Sequence, residues 1–488
     1  NSVANRLVGN NGNNLLTGLG GNDTLEGGGG DDIYIFGRNA GTDLIIDNSG
    51  NNSLLLTGGL SAEQLVFSKN GNHLEITIVN TTDKATIQDW YSNNSNRLQQ
   101  IQFSNGTTLL AAEIENKANA NPTNGNNNTG TANNDLIVGT DNNDTINGGA
   151  GTDTLIGGLG NDTYVVDNIN DVVTELANQG SDTIQSTVSY TLSAQVENLI
   201  LLGTVHLTGT GNDLANIIMG NNGNNILSGG LGTDTLKGGL GNDTYLIVDA
   251  EDMIEEDNNG GTDTVISSVS YTLTTNVESL TLTGQAHLTG TGNAANNVIT
   301  ANDGNNTLTG GAGKDSLKGG LGNDTYLISV DDVADVIIEL ANEGIDTVES
   351  YSSYALANHL EHLTLMGTEN INGAGNSLAN AIKGNTGNNV LVGGAGNDTL
   401  MGGLGNDVYL FGRGAEQDTI DNTDDSNGDD MLLFSQGISS EQLWLQQNGN
   451  HLLISIVSVS QQTITNDDGS TSTSVQISQS SDQLTIKD

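Results

Sequence analysis

The chain has 488 residues with 67 Gly, one Pro and no Cys, and its 59 acidic groups against 12 Lys plus Arg leave a formal net charge of −47. That charge repels phosphate, so nucleic acid is a poor partner; no apolar run approaches the ~18 residues of a membrane-spanning helix; and without Cys there is no disulfide framework and no thiolate metal site. Gly without a three-residue period excludes collagen. An acidic chain remains that must relieve its own repulsion, and hard divalent cations bound by carboxylate and carbonyl oxygen suit that task.

In chain order, residues 1–43 open on a nine-residue pattern, Gly-Gly-x-Gly-x-Asp-x-apolar-x, with Asp23, Asp32 and Asp43 as its acids and Asn5 and Asn14 at the same sixth position. The Gly-rich six residues permit positive φ and close backbone approach. The next three place one large apolar side chain inward, as a short strand does. Two nonads then form one coil of a solenoid: turn, strand, turn, strand. The first residue is Asn and no charged-then-apolar leader precedes the pattern, so the chain is read as starting inside a repeat.

Residues 44–116 change character. They contain Ser61-Ala-Glu-Gln-Leu65, Asn70-Gly-Asn-His-Leu74 and Ala85-Thr-Ile-Gln-Asp-Trp-Tyr91, with the Asn-Gly pair as a hairpin signal. Residues 117–130 are Asn-rich, hold Pro122 and read as a linker.

Residues 131–420 form an array. Gly157-Gly-Leu-Gly-Asn-Asp-Thr-Tyr164 recurs from Gly238 and Gly319 and, with Val for Thr, from Gly402, in steps of 81, 81 and 83. The sixth position carries Asp135, Asp144, Asp153 and Asp162, then Asp234 and Asp243, Asp315 and Asp324, Asp398 and Asp407, closing with Asp418. Asn216, Asn225, Asn297, Asn306, Asn380 and Asn389 occupy it elsewhere and keep a carbonyl ligand without charge. Between blocks the phase continues: Val166–Thr174 places Asp171, and after a two-residue insertion Ala177–Gln185 places Asp182. The equivalent acids are Asp252, Asp263, Asp335 and Asp346. A seven-residue insertion, Ser186–Leu192, precedes Ser193–Leu201 and Leu202–Thr210. Eight nonads plus nine inserted residues account for 81, and because eight is even each long repeat is expected to return to the same edge. One continuous roll is expected, against the alternative of small rolls on tethers.

The inward row Ile146, Leu155, Tyr164, Leu227, Leu236 and Tyr245 makes a narrow core, too little to offset chain entropy alone. The sixth position supplies the second stabiliser. Turns i and i+2 lie on one edge about 4.8 Å apart. Two aspartates then face one gap with turned-in carbonyls of Gly149, Gly151, Gly158, Gly160, Gly230, Gly232, Gly239, Gly241, Gly311, Gly313, Gly320, Gly322, Gly394, Gly396, Gly403 and Gly405. That is an oxygen cage of calcium size and hardness. The last segment, residues 421–488, repeats Ser440-Glu-Gln-Leu443, Asn448-Gly-Asn-His-Leu452 and Leu484-Thr-Ile-Lys-Asp488, with a Ser/Thr-rich insertion at 461–475, and stops at the residue matching Asp89, before any counterpart of Trp90.

The nonads resemble the RTX (repeats-in-toxin) haemolysin-type calcium-binding repeats. Residues 44–116 and 421–488 resemble the haemolysin-type calcium-binding-related domain, the second copy truncated. The resemblance implies an all-β chain, a calcium-bound parallel β-roll (β-solenoid) with flanking β-rich domains. It also implies Ca2+ as cofactor and type I secretion to the exterior or surface of a bacterium.

Other chemistry is missing. There is no G-x-G-x-x-G, G-K-[ST], H-E-x-x-H or G-x-S-x-G, so neither nucleotide binding nor an enzyme is expected. His359-Leu-Glu-His362 is the nearest transition-metal candidate, and Asp424–Asp430 the nearest to an EF-hand loop, better read as a solvated acidic turn. Recurring aspartate pairs argue against a glycosidase, whose catalytic pair has no reason to repeat. Two functions stay open: a calcium-folded spacer, adhesin, matrix or surface-layer segment of a large exoprotein, or the secretion and stability scaffold of a secreted enzyme or toxin whose catalytic part lies elsewhere. Ice binding, a third, would need a regular Thr/Asn row; Gly209-Thr-Gly-Asn-Asp213 has only a near copy at Gly290.

Overall fold

In the computed structural model, which describes residues 1–79, 81–92, 94–120, 127–330, 334–423, 428–465 and 470–487, short parallel strands dominate. In the roll the three-residue strands fall on the last three positions of a nonad, as Thr154–Ile156 does in Gly148–Ile156, and some run one residue further, as Thr163–Val166 does. That strand pairs in parallel with Leu136–Val138 on one side and Val172–Thr174 on the other, each one coil away. Alternate strands therefore build opposite sheets of a β-solenoid. The eighth-position side chains Ile146, Leu155, Tyr164, Leu227, Leu236 and Tyr245 point between the sheets and are fully buried. Leu at position three instead sits on the turn, and Leu159 is 48% exposed. An apolar residue is thus inside or outside according to its phase in the nonad.

The chain divides into two compact units, Asn1–Lys237 with Glu251–Met253, and Gly238–Ala250 with Ile254–Asp488. In the first, residues 1–43 and 44–116 share sheets and a core. Strand Thr42–Ile46 pairs with Thr24–Glu26 and with Lys84–Ile87, which begins an antiparallel run through His73–Ile78 to Leu65–Asn70. Fully buried Trp90 packs in this core with Leu54, Ile76 and Ile114. Ile114 lies on the helix Ala111–Ala120, which takes in the start of the expected linker because Ala111, Ile114 and Ala118 form an apolar stripe at helical spacing. Residues 121–126, with Pro122, lie outside the described residues; strand Asn127–Thr129 follows and pairs with Thr145–Asn147.

The second unit ends on the same topology. Gln417–Asp421 pairs in parallel with the end of Thr471–Lys487, which runs antiparallel to His451–Thr465 and on to Leu443–Asn448. The two hairpins share register, Asn70 facing His73 and Asn448 facing His451. Asp83 accepts from the Asn39 and Gly41 N–H groups, and Asp482 accepts from those of Gly414 and Glu416. The insertion at 461–475 extends the hairpin; its residues 466–469, like Asp488, lie outside the described residues.

Within each unit the stretches between blocks are coils of the roll and not tethers. Thr163–Val166 pairs with Thr183–Ser186, which pairs with Asn198–Leu201 and then Ile217–Met219. The expected count of eight strands per long repeat is wrong. Ser186–Leu192 holds a ninth, the two-residue strand Tyr190–Thr191, with Tyr190 in the inward row beside Gly209. The insertion has just enough residues for a strand once Ser186 turns the chain by bonding Val188. Among the described residues, nine strands run from Thr325–Ile328 to Thr399–Met401 before Val408–Phe411 begins the next copy. Nine is odd. Tyr326 accordingly lies in the sheet of Thr347–Ser350 and Ala381–Lys383, whereas Tyr409 lies in the opposite sheet with Val390–Val392. Successive copies alternate sheets and do not return to the same edge.

The phase rule has a direct test. In calcium, Leu155→Ala should cost about 2–5 kcal/mol, the usual range for emptying a packed site, whereas Leu159→Ala should change stability by less than about 0.5 kcal/mol, as for surface substitutions. Denaturant midpoints of the two variants check this, and equal losses would refute it.

Candidate metal centres

The position-six carboxylates form ladders along the turns. Asp153 Oδ1 accepts from the Asp135 N–H at 2.8 Å, and Asp171 Oδ1 from the Asp153 N–H at 2.9 Å. The same bond, at 2.6–3.1 Å, is made by Asp23, Asp32, Asp43, Asp162, Asp182, Asp234, Asp252, Asp263, Asp315, Asp324, Asp335, Asp346, Asp398, Asp407 and Asp418. Asp243 begins such a step, its N–H donating to Asp263. One carboxylate oxygen therefore ties each turn to the coil before it.

The other oxygen depends on position two. At Asp135 and Asp144 that residue is Thr131 or Thr140, whose N–H and hydroxyl both donate to Oδ2 at 2.5–2.8 Å. At Asp153 and Asp162 it is Gly149 or Gly158, held at φ 78° and 102°. No such bond forms there, and Oδ2 is buried with no hydrogen-bond partner, as it also is in Asp23, Asp32, Asp182, Asp263 and Asp398. All the glycines predicted to turn carbonyls toward a cation have positive φ, from Gly149 through Gly405. Position-one glycine serves a different need, because a Cβ at Gly148 or Gly157 would collide with the Oδ2 of Asp153 or Asp162.

Asparagine at position six satisfies itself. Asn216 Oδ1 accepts from the Asn212 N–H at 2.7 Å, and its amide donates to the carbonyls of Val196 and Glu197 at 3.1 and 3.2 Å. Asn297 and Asn380 repeat both contacts. An amide donor thus stands where a cation would otherwise meet the carbonyls, which favours reading these positions as continuing the roll.

Several acids in the ladder escaped the sequence reading. Asp182, Asp263 and Asp346 donate their N–H groups to Glu197, Glu278 and Glu361 at 2.8–2.9 Å, so glutamate fills position six there and the nonad lies one residue before Ser193–Leu201. Asp430 accepts from the Asp407 N–H at 2.7 Å and belongs to the roll; residues 424–427 of that acidic stretch lie outside the described residues. Three closer groups also appear: Asp162, Glu175 and Asp182; Asp243, Glu256 and Asp263; Asp324, Glu339 and Asp346. Within each, one ligand atom per residue lies within 4.8 Å of the others. Glu175 sits in the two-residue insertion, which the nonad phase had passed over. His359 and His362 join no such group among the described residues; His362 begins a strand paired with Thr347.

Burial raises these acids. Asp162, Asp324, Asp346 and Asp398 are pushed up to about 6, Asp418 and Glu175 to about 7, and Glu339 to about 8, desolvation being the largest cause and neighbouring carboxylates adding to it.

The comparisons agree with this geometry. Five segments, residues 1–38, 129–164, 210–245, 291–326 and 374–409, match the family model of the RTX calcium-binding nonapeptide repeat. The haemolysin-type calcium binding protein related domain matches residues 73–113; a second copy near the C-terminus is not shown by that comparison, although the hairpin there repeats the topology. The chain is similar to the iron-regulated protein FrpA of Neisseria meningitidis serogroup C, 29% identical over 89 residues, which are 17% of this chain and 8% of that protein. The chain thus carries RTX repeats, whose cofactor is Ca2+.

The pKa directions set a pH response. Folded-state values above the unfolded ones mean that the metal-free roll binds protons more tightly than the unfolded chain. Protonation therefore stabilises the metal-free roll below the ordinary carboxylate range, and this is lost as pH rises through about 6 to 8. Circular dichroism in chelator should show β structure that grows as pH falls from about 8 toward the ordinary carboxylate range of about 4. A β signal that does not grow over that range would refute this response.

Proposed function

We propose that the position-six aspartates bind calcium between stacked turns, and that this chain is an extracellular, calcium-folded structural segment of a larger secreted bacterial protein. The observation that carries this reading is the row of buried carboxylate oxygens that have no donor, set in glycine turns. A buried unsatisfied polar group costs about 1–3 kcal/mol, more when charged, and a folded chain has only about 5–15 kcal/mol in hand. Several such groups remove that margin. A divalent cation between two of them reverses the sign, because the same low dielectric strengthens its attraction. The RTX matches support secretion, and an oxygen cage of this kind suits the millimolar calcium outside cells.

Its task is a spacer, or a part of an adhesin, matrix or surface layer. Repetition supports this: the motifs recur along the array, and each copy builds more roll. Low calcium inside the cell would leave the chain unfolded for type I export, and calcium outside would fold it.

Folding should therefore follow the ion. With chelator the full chain at neutral pH should lose most of its β signal in circular dichroism, and millimolar calcium should restore it. Magnesium should substitute poorly, since it demands a tighter octahedron and keeps its water. A β signal unchanged by chelator would reject the proposal.

A further inference from the structure

The three carboxylate groups that contain Glu175, Glu256 and Glu339 differ from the rest of the ladder. Elsewhere a turn offers one carboxylate per nonad. Here the turn after Val172–Thr174 is two residues longer and brings Glu175 back toward Asp162 and Asp182. A carbonyl of this loop is already used, since Gln179 O accepts from the Gly160 N–H at 2.7 Å; Gly260 and Glu343 do the same for Gly241 and Gly322. The loop replaces a backbone oxygen with a charged one.

Two further observations point to a ligand. Glu175 is 7% exposed, and Asp162 and Asp182 are each 1% exposed, yet each keeps a buried oxygen without a hydrogen-bond partner. Glu339 and Asp324 repeat this. The second observation is the tyrosine. Tyr164, Tyr245 and Tyr326 each donate the hydroxyl to Oε1 of the local glutamate and hold it; Oε2 of Glu175 and Glu339 is left without a donor, whereas Oε2 of Glu256 accepts from the Asp257 N–H at 3.1 Å. Oxygens within 4.8 Å of one another fit one ion at the 2.3–2.6 Å of calcium coordination. An all-oxygen set excludes soft metals.

We propose that Glu175, Glu256 and Glu339 each complete a three-carboxylate site for calcium, or a lanthanide of the same size and hardness, and that these sites bind more tightly than the two-aspartate turns, once per long repeat. Affinity rises with ligand charge, and a third carboxylate raises it without further burial. The inference rests on the calcium reading of the nonads. Two copies of the tyrosine motif lack a full set and act as internal controls. Tyr34 donates to Asp47 at 2.5 Å beside Asp32 but with Asn52 in the ladder, and Tyr409 bonds Asn422 at 3.0 Å between Asp407 and Asp430.

Terbium, a calcium surrogate whose emission is excited through nearby tyrosine, tests this on the full chain in calcium. Titration should show a tight class of three sites, matching the three groups, bound about tenfold or more tightly than the others. Glu175→Gln should lower that number by one, and Asn422→Asp should raise it by one, a gain that misfolding cannot mimic. A tight class unchanged by both variants overturns the inference while leaving calcium-dependent folding intact. A chain that calcium does not fold would overturn the underlying reading instead.

Discussion

A buried carboxylate oxygen with no donor is the constraint on which the roll depends. Along the ladder a position-six aspartate spends one oxygen on the N–H of the coil before it, which locks turn to turn as Asp153 does with Asp135, although Asp144 Oδ1 has no such partner among the described residues. The second oxygen is surplus. In a thick core such a group would be rare; in this roll it recurs, because the nonad repeats the circumstance that creates it. With aromatics at 3% of residues and a single row of side chains between the sheets, burial alone offers little to set against it. The fold is therefore conditional on something that neutralises those oxygens, a cation or a proton.

The chain does not apply that condition uniformly. Thr131 and Thr140 satisfy Oδ2 of the aspartates of their own turns from position two. Asn212 does the same for Asn216, whose amide then covers the carbonyls of Val196 and Glu197. Where position two is held at positive φ, by Gly149 and Gly158 and equally by Leu19, Asn178 and Asn259, Oδ2 of the aspartate four residues on is left over. Coils with satisfied aspartates and coils that need an ion thus occur in one array, and the residue and backbone conformation at position two contribute to the difference.

Much of this was legible in the sequence. The nonad phase alone located the strands, the inward row and the ladder acids, since a nine-residue period leaves few ways to close a coil. What escaped was whatever broke the period. Tyr190–Thr191 is a strand of two residues inside an apparent insertion. Glu197 replaces aspartate one place early, its longer side chain reaching the same N–H of Asp182. Glu175 lies in a two-residue insertion that a phase count discards. A signal existed for it: the nonads ending in Tyr in place of Leu or Ile are those followed, 11 or 13 residues on, by a side chain that the hydroxyl bonds. The helix Ala111–Ala120 was missed because its Asn-rich continuation resembles a linker.

The odd strand count of the long repeat has a consequence for how such an array changes over generations. Each copy advances the chain by four and a half coils, so a feature such as Tyr326 reappears at Tyr409 on the other sheet. Deleting or duplicating one copy would turn everything downstream to the opposite face, whereas deleting or duplicating two would preserve its facing. The heritable module of this array, for any surface that must present a constant side, is a pair of copies.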